Sequence, residues 1–167
     1  MRRIFSLFIL LLLVVGQTAV FAHGGGEIKI GRAPVGDYKL TVWLNPPQPQ
    51  AGETIHITVG VLGENDEAVL DAAVSVQAID ANGNIVIDIA ATTEQSVNKL
   101  FYETDFVLET AVSHQIITTL HTDNTIGDVA FTITIAEAKP RLNYLWIGLA
   151  ALLLIVPIGL WQNRRKS

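Results

Sequence analysis

Hydrophobic and polar residues alternate with a period of two through the middle of the chain. In the run 54–61, Ile55, Ile57, Val59 and Val61 alternate with polar residues or glycine. This period places successive side chains on opposite faces of an extended strand, whereas a helix repeats its apolar positions every 3.6 residues. Runs of this kind predict strands at 38–44, 54–61, 72–79, 85–89, 100–108, 114–122 and 129–135.

Turn-forming residues separate these runs. The segments 45–52, 63–67 and 123–128 contain glycine, proline, asparagine or aspartate at several positions, and Asn82-Gly83 within the segment 80–84 is a strong signal for a hairpin turn. The carboxylates around this turn suggest a calcium loop, but the glycine is misplaced and the glutamate of the twelfth position is missing, so a hairpin is favoured. About seven short strands at regular spacing predict an all-β fold, an immunoglobulin-like antiparallel β-sandwich.

A long apolar run near the C-terminus predicts a membrane anchor. Residues 142–161 contain no charged side chain, and as a helix they would reach roughly 30 Å, the thickness of a bilayer's hydrocarbon core. The basic tail at 162–167 places that end in the cytoplasm by the positive-inside rule. We therefore predict one transmembrane helix in the cytoplasmic (inner) membrane, with the preceding domain on the extracytoplasmic side.

The N-terminus has the pattern of a signal peptide. Residues 1–22 combine two arginines, an apolar stretch and a Val-Phe-Ala sequence that suits signal peptidase. Cleavage after Ala22 would make His23 the first residue of the mature chain. The alternative, an uncleaved anchor, predicts the same topology. The extracytoplasmic domain is then 23–140, of which 23–36 is predicted to be a flexible leader.

Composition narrows the function. Residues 23–141 contain 16 acidic and 6 basic side chains, a net charge of −10 with histidine neutral. This charge disfavours nucleic acid and anionic lipid surfaces as partners. The chain has no cysteine, which excludes disulfides and thiolate metal sites. Since no nucleophile–base pairing or catalytic carboxylate pair is evident, we predict that the protein is not an enzyme.

The four histidines, His23, His56, His114 and His121, are the candidate metal ligands. His23 comes first, because a histidine at a free N-terminus offers both its amino group and its Nδ1 to one ion. Imidazole, amine and carboxylate ligands suit Cu(II) or Zn(II), and Cu(II) is the cofactor we consider. His56 lies on the polar face of its strand, whereas His114 and His121 are seven residues apart and should point to opposite faces. The alternative is that His23 starts an ordinary leader and the others are surface or edge-strand histidines.

Four segments resemble the YtkA-like/FixH-like extracytoplasmic domains of bacteria: VGDYKLTVW at 35–43, GETIHITV at 52–59, AVLDAAVSV at 68–76 and GDVAFTITI at 127–135. The resemblance implies an immunoglobulin-like domain at the bacterial cytoplasmic membrane, with a role in copper handling or in the assembly of haem–copper oxidases. Two hypotheses follow. One is a metal-handling domain, anchored in membrane lipid by its C-terminal helix near an oxidase or transporter. The other is a metal-free interaction or scaffold module that binds another membrane protein.

Overall fold

The computed structural model describes residues 26–94, 96 and 99–139 of the 167-residue chain. The predicted signal peptide (1–22), His23, the transmembrane helix (142–161) and the basic tail (162–167) lie outside the described residues. Within those ranges there is no helix with the length and apolar character needed to cross a membrane.

Eight β-strands form the described part of the chain, and they pair antiparallel in two sheets. The first sheet has the order β1-β2-β3-β6 and the second the order β5-β4-β7-β8. The all-β class and the β-sandwich character predicted from the alternating pattern are confirmed. The strands are β1 (Glu27–Val35), β2 (Tyr38–Asn45), β3 (Thr54–Leu62), β4 (Ala73–Ile79), β5 (Ile85–Ala91), β6 (Tyr102–Val107), β7 (Ser113–His121) and β8 (Ile126–Thr134).

Strand β1 is the one strand that the alternating pattern does not predict. The sequence suggested a flexible leader over 23–36, whereas Glu27–Val35 pair with β2. The strand is irregular, since its register shifts on both sides of Ile30 and Arg32 adopts a positive φ of 51°. Such a bulge reverses which face each residue occupies and hides a strand from a search for a period of two. This corrects the leader assignment for these nine residues.

The hydrophobic core lies between the two sheets. Alternate residues of the central strands point inward and are almost fully buried, and each such aliphatic side chain contributes about 1.5–3 kcal/mol relative to an exposed position. The largest of them are Leu40, Leu44, Ile55, Ile57, Ile116 and Leu120. Among the buried polar side chains of the described residues, those of Thr104 and Thr118 are fully buried, and their hydroxyls have no hydrogen-bond partner there.

The two sheets also approach each other along both lateral sides. On one side, the residue after β5, Thr92, exchanges two backbone hydrogen bonds with Glu103 of β6, at 3.0 and 3.1 Å. On the other, Gly127 of β8 lies so close to β1 that a Cβ there would come within 2.6 Å of Val35 Cγ1. A Cβ at this position would force the Val35 side chain or the backbone of β8 to shift, which favours glycine at this contact.

Tyr102 fastens the loop between β3 and β4 to the first sheet. Its hydroxyl donates a hydrogen bond to the Val69 carbonyl (3.1 Å) and accepts one from the Ala72 N–H (3.0 Å). Burial raises the pKa of Tyr102, which the Ala72 hydrogen bond partly opposes. The phenol therefore connects a long loop to the core through a single side chain.

The turn between β4 and β5 is the hairpin that the sequence predicts. Asp80 and Asn84 close it through a backbone hydrogen bond of 2.9 Å, and Gly83 has a positive φ of 84°. The Asp80 carboxylate accepts hydrogen bonds from the backbone N–H groups of Asn82 and Asn84 and from the Asn84 side chain. These bonds lower the pKa of Asp80. The Asp80 carboxylate therefore stabilises the turn.

Candidate functional site

The outer face of the first sheet carries most of the chemistry in the described residues. Every second residue of β2, β3 and β6 is buried in the core, so the residues between them project outward from the sandwich. Cross-strand pairing arranges them in rows: Trp43 beside Thr58 beside Glu103, and then Asn45 beside His56 beside Asp105. We call this surface the first outer face.

His56 is held between two carboxylates on this face. Its Nδ1 lies 2.7 Å from Asp105 Oδ1, and its Nε2 lies 3.9 Å from Glu103 Oε2. Since a carboxylate accepts a hydrogen bond, Nδ1 donates its hydrogen to Asp105. The imidazole is about one third exposed. The outward position predicted for His56 is confirmed.

Glu103 is itself positioned by its neighbours. The Ser96 hydroxyl donates to Glu103 Oε1 at 3.2 Å, and the Glu103 main chain is bonded to Thr92. The side chain of Glu103 is only 16% exposed. One carboxylate oxygen is therefore anchored, and the other is directed towards His56.

The other two described histidines lie elsewhere. His114 on β7 is 3% exposed, and its Nδ1 lies 3.2 Å from the Val112 carbonyl. The sequence suggested a surface or edge-strand residue, but the regular alternation of β7 turns His114 into the sandwich. His121, at the end of the same strand, is exposed on the second sheet. The prediction that these two histidines face opposite ways is confirmed.

The structure does not assemble the described histidines into one centre. His56 is on the first sheet, whereas His114 and His121 are on the second. Residues 26–94, 96 and 99–139 contain no group of three or more His, Asp or Glu side chains arranged to hold a metal ion. His23, the first candidate, lies outside this range.

A cluster of apolar side chains, which sequence reasoning missed, lies beside His56. Trp43 and Phe101 meet edge to face with ring centroids 5.4 Å apart. Both rings cover Gly60, where a Cβ would lie 3.2 Å from Trp43 and 3.4 Å from Phe101. Ile28, the β1 partner of Trp43, is 57% exposed. We call Ile28, Trp43 and Phe101 the aromatic patch.

One signal in the sequence could have indicated this patch. Trp43 occupies an outward position between the inward Val42 and Leu44, where a polar residue is usual. Gly60 interrupts the interior of β3, and a glycine there often marks the close approach of another group. The two signals together indicate an aromatic ring lying flat on a strand.

Charged groups surround the aromatic patch. At one end of the first outer face, Asp66 accepts hydrogen bonds from Lys39 and Arg32. The bond from Lys39, followed by that from Arg32, lowers the pKa of Asp66. At the other end, Glu103 and Asp105 flank His56. The patch thus lies between an ion-paired cluster and an acidic one.

Comparisons with known proteins identify no family. No family model matches the sequence, and no curated protein matches it. Among solved structures, the crystal structure of an engineered protein is similar, with 17% sequence identity and a TM-score of 0.42. The match covers 59% of this chain and 20% of that chain, and at this score it carries no argument about fold or function.

Proposed function

We propose that the protein is a membrane-tethered recognition module whose immunoglobulin-like domain binds a segment of another membrane protein through the first outer face. Residues 1–22 act as a cleaved signal peptide and residues 142–161 as the transmembrane helix, on the strength of their sequence patterns. The domain would then stand outside the cytoplasmic membrane. Tethering raises the effective concentration of such a module near a partner in the same membrane.

The strand order supports the immunoglobulin-like assignment. If β2, β3 and β6 correspond to strands A, B and E, then β4, β7 and β8 correspond to C, F and G, and β5 pairs with β4 as strand C′ does with C. Strand β1 is an addition at the edge of the first sheet. Sandwiches of this kind recur in recognition proteins, although a fold alone does not assign a function.

The observation that carries the proposal is the aromatic patch. Trp43 lies on the outer face of the sandwich, is half-buried and meets Phe101 edge to face, and Ile28 beside it is more than half exposed. Tryptophan at such a position is enriched in binding surfaces, because a large ring gains much free energy when a partner covers it. The core does not require it, since the interior is filled by residues of the opposite face.

Charge indicates the chemistry of the partner. The acidic Glu103 and Asp105 border the patch, whereas Lys39 and Arg32 are already paired with Asp66. A segment that places apolar side chains on the patch and an arginine or lysine beside these carboxylates would complement both. We therefore propose a basic, amphipathic protein segment as the occupant.

Site-specific photocrosslinking in the membrane tests this proposal. A photoreactive amino acid at Thr58, between Trp43 and Glu103, should give one discrete adduct, and mass spectrometry should find basic and apolar residues in the crosslinked peptide. Thr119 is the matched control, because it is also half-buried and outward but lies on the second sheet. The Trp43→Ser variant should abolish the Thr58 adduct. Equal labelling from Thr119, or an adduct that survives Trp43→Ser, would refute the proposal.

Copper handling is the alternative function, and it rests on the histidines. Recognition through the aromatic patch needs no metal, so a chelator should leave the Thr58 adduct unchanged. Loss of the adduct on chelation would favour the metal-handling alternative. We propose no enzymatic activity.

A further inference from the structure

The turn between β4 and β5 contains two residues that can react with each other without a catalyst. Asn82 is followed directly by Gly83, and both residues are exposed. The backbone nitrogen of the glycine can attack the side-chain amide carbon of the asparagine, because glycine has no Cβ to hinder the approach. A Cβ added at Gly83 would meet none of the described residues within 4 Å, apart from its two chain neighbours. The surroundings of the turn therefore leave room for the attack.

The reaction is a deamidation of Asn82. Attack joins Gly83 N to Asn82 Cγ and closes a five-membered succinimide ring. The Cγ–Nδ2 bond breaks, and ammonia leaves with the hydrogen that Gly83 N has lost. Solvent water then opens the ring at one of its two carbonyl groups. One product is aspartate, and the other is isoaspartate, in which the main chain runs through the former side chain and is one carbon longer.

The hydrogen bonds of the folded turn oppose the first step. The Gly83 N–H donates to the Asp80 carbonyl oxygen at 3.1 Å, whereas the reaction requires this nitrogen to lose its hydrogen and turn towards Asn82 Cγ. Asp80 Oδ1 accepts hydrogen bonds from the backbone N–H groups of Asn82 and Asn84, both at 2.8 Å. One carboxylate oxygen thus fixes the backbone on both sides of Gly83.

The charge of Asp80 opposes the same step. Hydrogen bonds from Asn84 and from Asn82 lower the pKa of this carboxyl, so it is ionised at neutral pH. Loss of the hydrogen from Gly83 N creates a second negative charge in the short loop that Oδ1 bridges, and two like charges at such a distance repel each other. The carboxylate therefore slows the reaction through geometry and through charge.

We propose that Asn82 is a deamidation site and that the Asp80 carboxylate controls its rate by holding the turn closed. Conversion should be slow in the folded chain and faster whenever the turn opens. Isoaspartate would lengthen the link between the two strands and disrupt the 2.9 Å backbone hydrogen bond between Asp80 and Asn84. Aspartate would instead add one negative charge beside Asp80. This modification does not depend on the first outer face.

Peptide mapping by mass spectrometry tests the proposal on the full chain, incubated in a mild detergent at mildly alkaline pH. Conversion at Asn82 is followed over time through the mass change from amide to acid, and chromatography separates isoaspartate from aspartate. Asn124 is the matched control, because it is also exposed in a turn but is followed by Thr125, whose branched side chain hinders the attack. Asn82 should convert faster than Asn124, and urea should increase the rate at Asn82.

Three variants separate the role of the turn from that of charge. Asp80→Ala should increase the rate in the folded chain by roughly 2- to 10-fold, the factor expected for the loss of one hydrogen bond. Asp80→Asn keeps an oxygen acceptor without the charge and should give a smaller increase. Asp88→Ala is the matched control, since it removes a nearby exposed carboxylate from β5 and leaves the turn intact; its rate should equal that of the wild type. Circular dichroism verifies that each variant is folded.

Three outcomes would overturn the proposal. The first is an Asn82 that converts no faster than Asn124 in urea, which would show that it is not a deamidation site. The second is an equal Asn82 rate in the folded and the urea-unfolded chain, which would show that the turn gives no protection. The third is an increase in Asp88→Ala as large as that in Asp80→Ala, which would show that the contacts of Asp80 have no special part.

Discussion

Replacing Thr104 with valine should stabilise the protein. The Thr104 side chain is fully buried, and its hydroxyl lacks a hydrogen-bond partner among the described residues. A buried hydroxyl without a partner costs about 1–3 kcal/mol, since its hydrogen bonds to water are lost and not replaced. Valine has nearly the same shape and favours strands at least as well. We expect a gain of about 1–2 kcal/mol, which corresponds to roughly 4–8 °C in Tm for a domain of this size.

The same reasoning applies to Thr118 on the facing sheet, and the pair provides an internal check. Thr118 is also fully buried with an unpaired hydroxyl, so Thr118→Val should give a similar gain. If the two sites are independent, the double variant should show the sum. Thr58→Val is the control, because Thr58 projects outward and is half-buried, and its effect should stay within about 0.5 kcal/mol.

Urea unfolding of the full chain in a mild detergent, followed by circular dichroism near 215 nm, measures these changes. The midpoint should rise for both core variants while the slope of the transition stays constant. A lower midpoint for Thr104→Val would show that the hydroxyl makes a stabilising interaction in solution. The argument from its unpaired burial would then be refuted.

Three further predictions concern individual side chains. Tyr102→Phe should lower the free energy of unfolding by about 1–3 kcal/mol, because two hydrogen bonds to the β3–β4 loop disappear. Since the pKa of Tyr102 is raised in the folded state, the extra stability of the wild type should be present below pH 10 and should shrink as the pH rises beyond it. Asp66→Asn should remove the hydrogen bonds from Lys39 and Arg32. Because the pKa of Asp66 is lowered from 3.8, the difference in urea midpoint should be present at pH 7, small and sensitive to salt. It should shrink as the pH falls below 3.8 through the lower pKa of the folded state. Gly60→Ala should lower the free energy of unfolding by about 1 kcal/mol or more, because the added methyl group would crowd the Trp43 ring. The effect should be visible as a lower Tm and a shifted indole resonance. An unchanged midpoint at pH 7 in Tyr102→Phe would contradict the first prediction. A difference for Asp66→Asn that grows as the pH falls below 3.8 would contradict the second, and an unmoved indole resonance in Gly60→Ala would contradict the third.

Much of the fold follows from the sequence because the sandwich has one buried face in each sheet. In β3, for example, inward aliphatics alternate with outward residues without a break, and such a pattern can hardly form anything else. Strand β1 was not predicted from the sequence, and the reason is physical. Its pairing with β2 is displaced by the bulge around Arg32, so its apolar residues keep no constant period.

The candidate site was harder to predict from the sequence than the fold was. That His56 projects outward follows from its strand alone. Its partners Glu103 and Asp105, however, come from a strand almost fifty residues later along the chain, and only the β3–β6 register brings them beside it. His114 was misplaced on the surface, because a polar residue at the start of a strand gives no sign of which face it occupies.

The pair of backbone hydrogen bonds between Thr92 and Glu103 affects how copies of the molecule associate with one another. Strand β6 ends its sheet, and an uncovered terminal strand offers its main-chain groups to any neighbouring copy, the first step towards fibrous aggregates. Here the segment after β5 already occupies part of that rim. Crowded copies of the domain would therefore find fewer main-chain sites at which to polymerise, and association would be left to side chains.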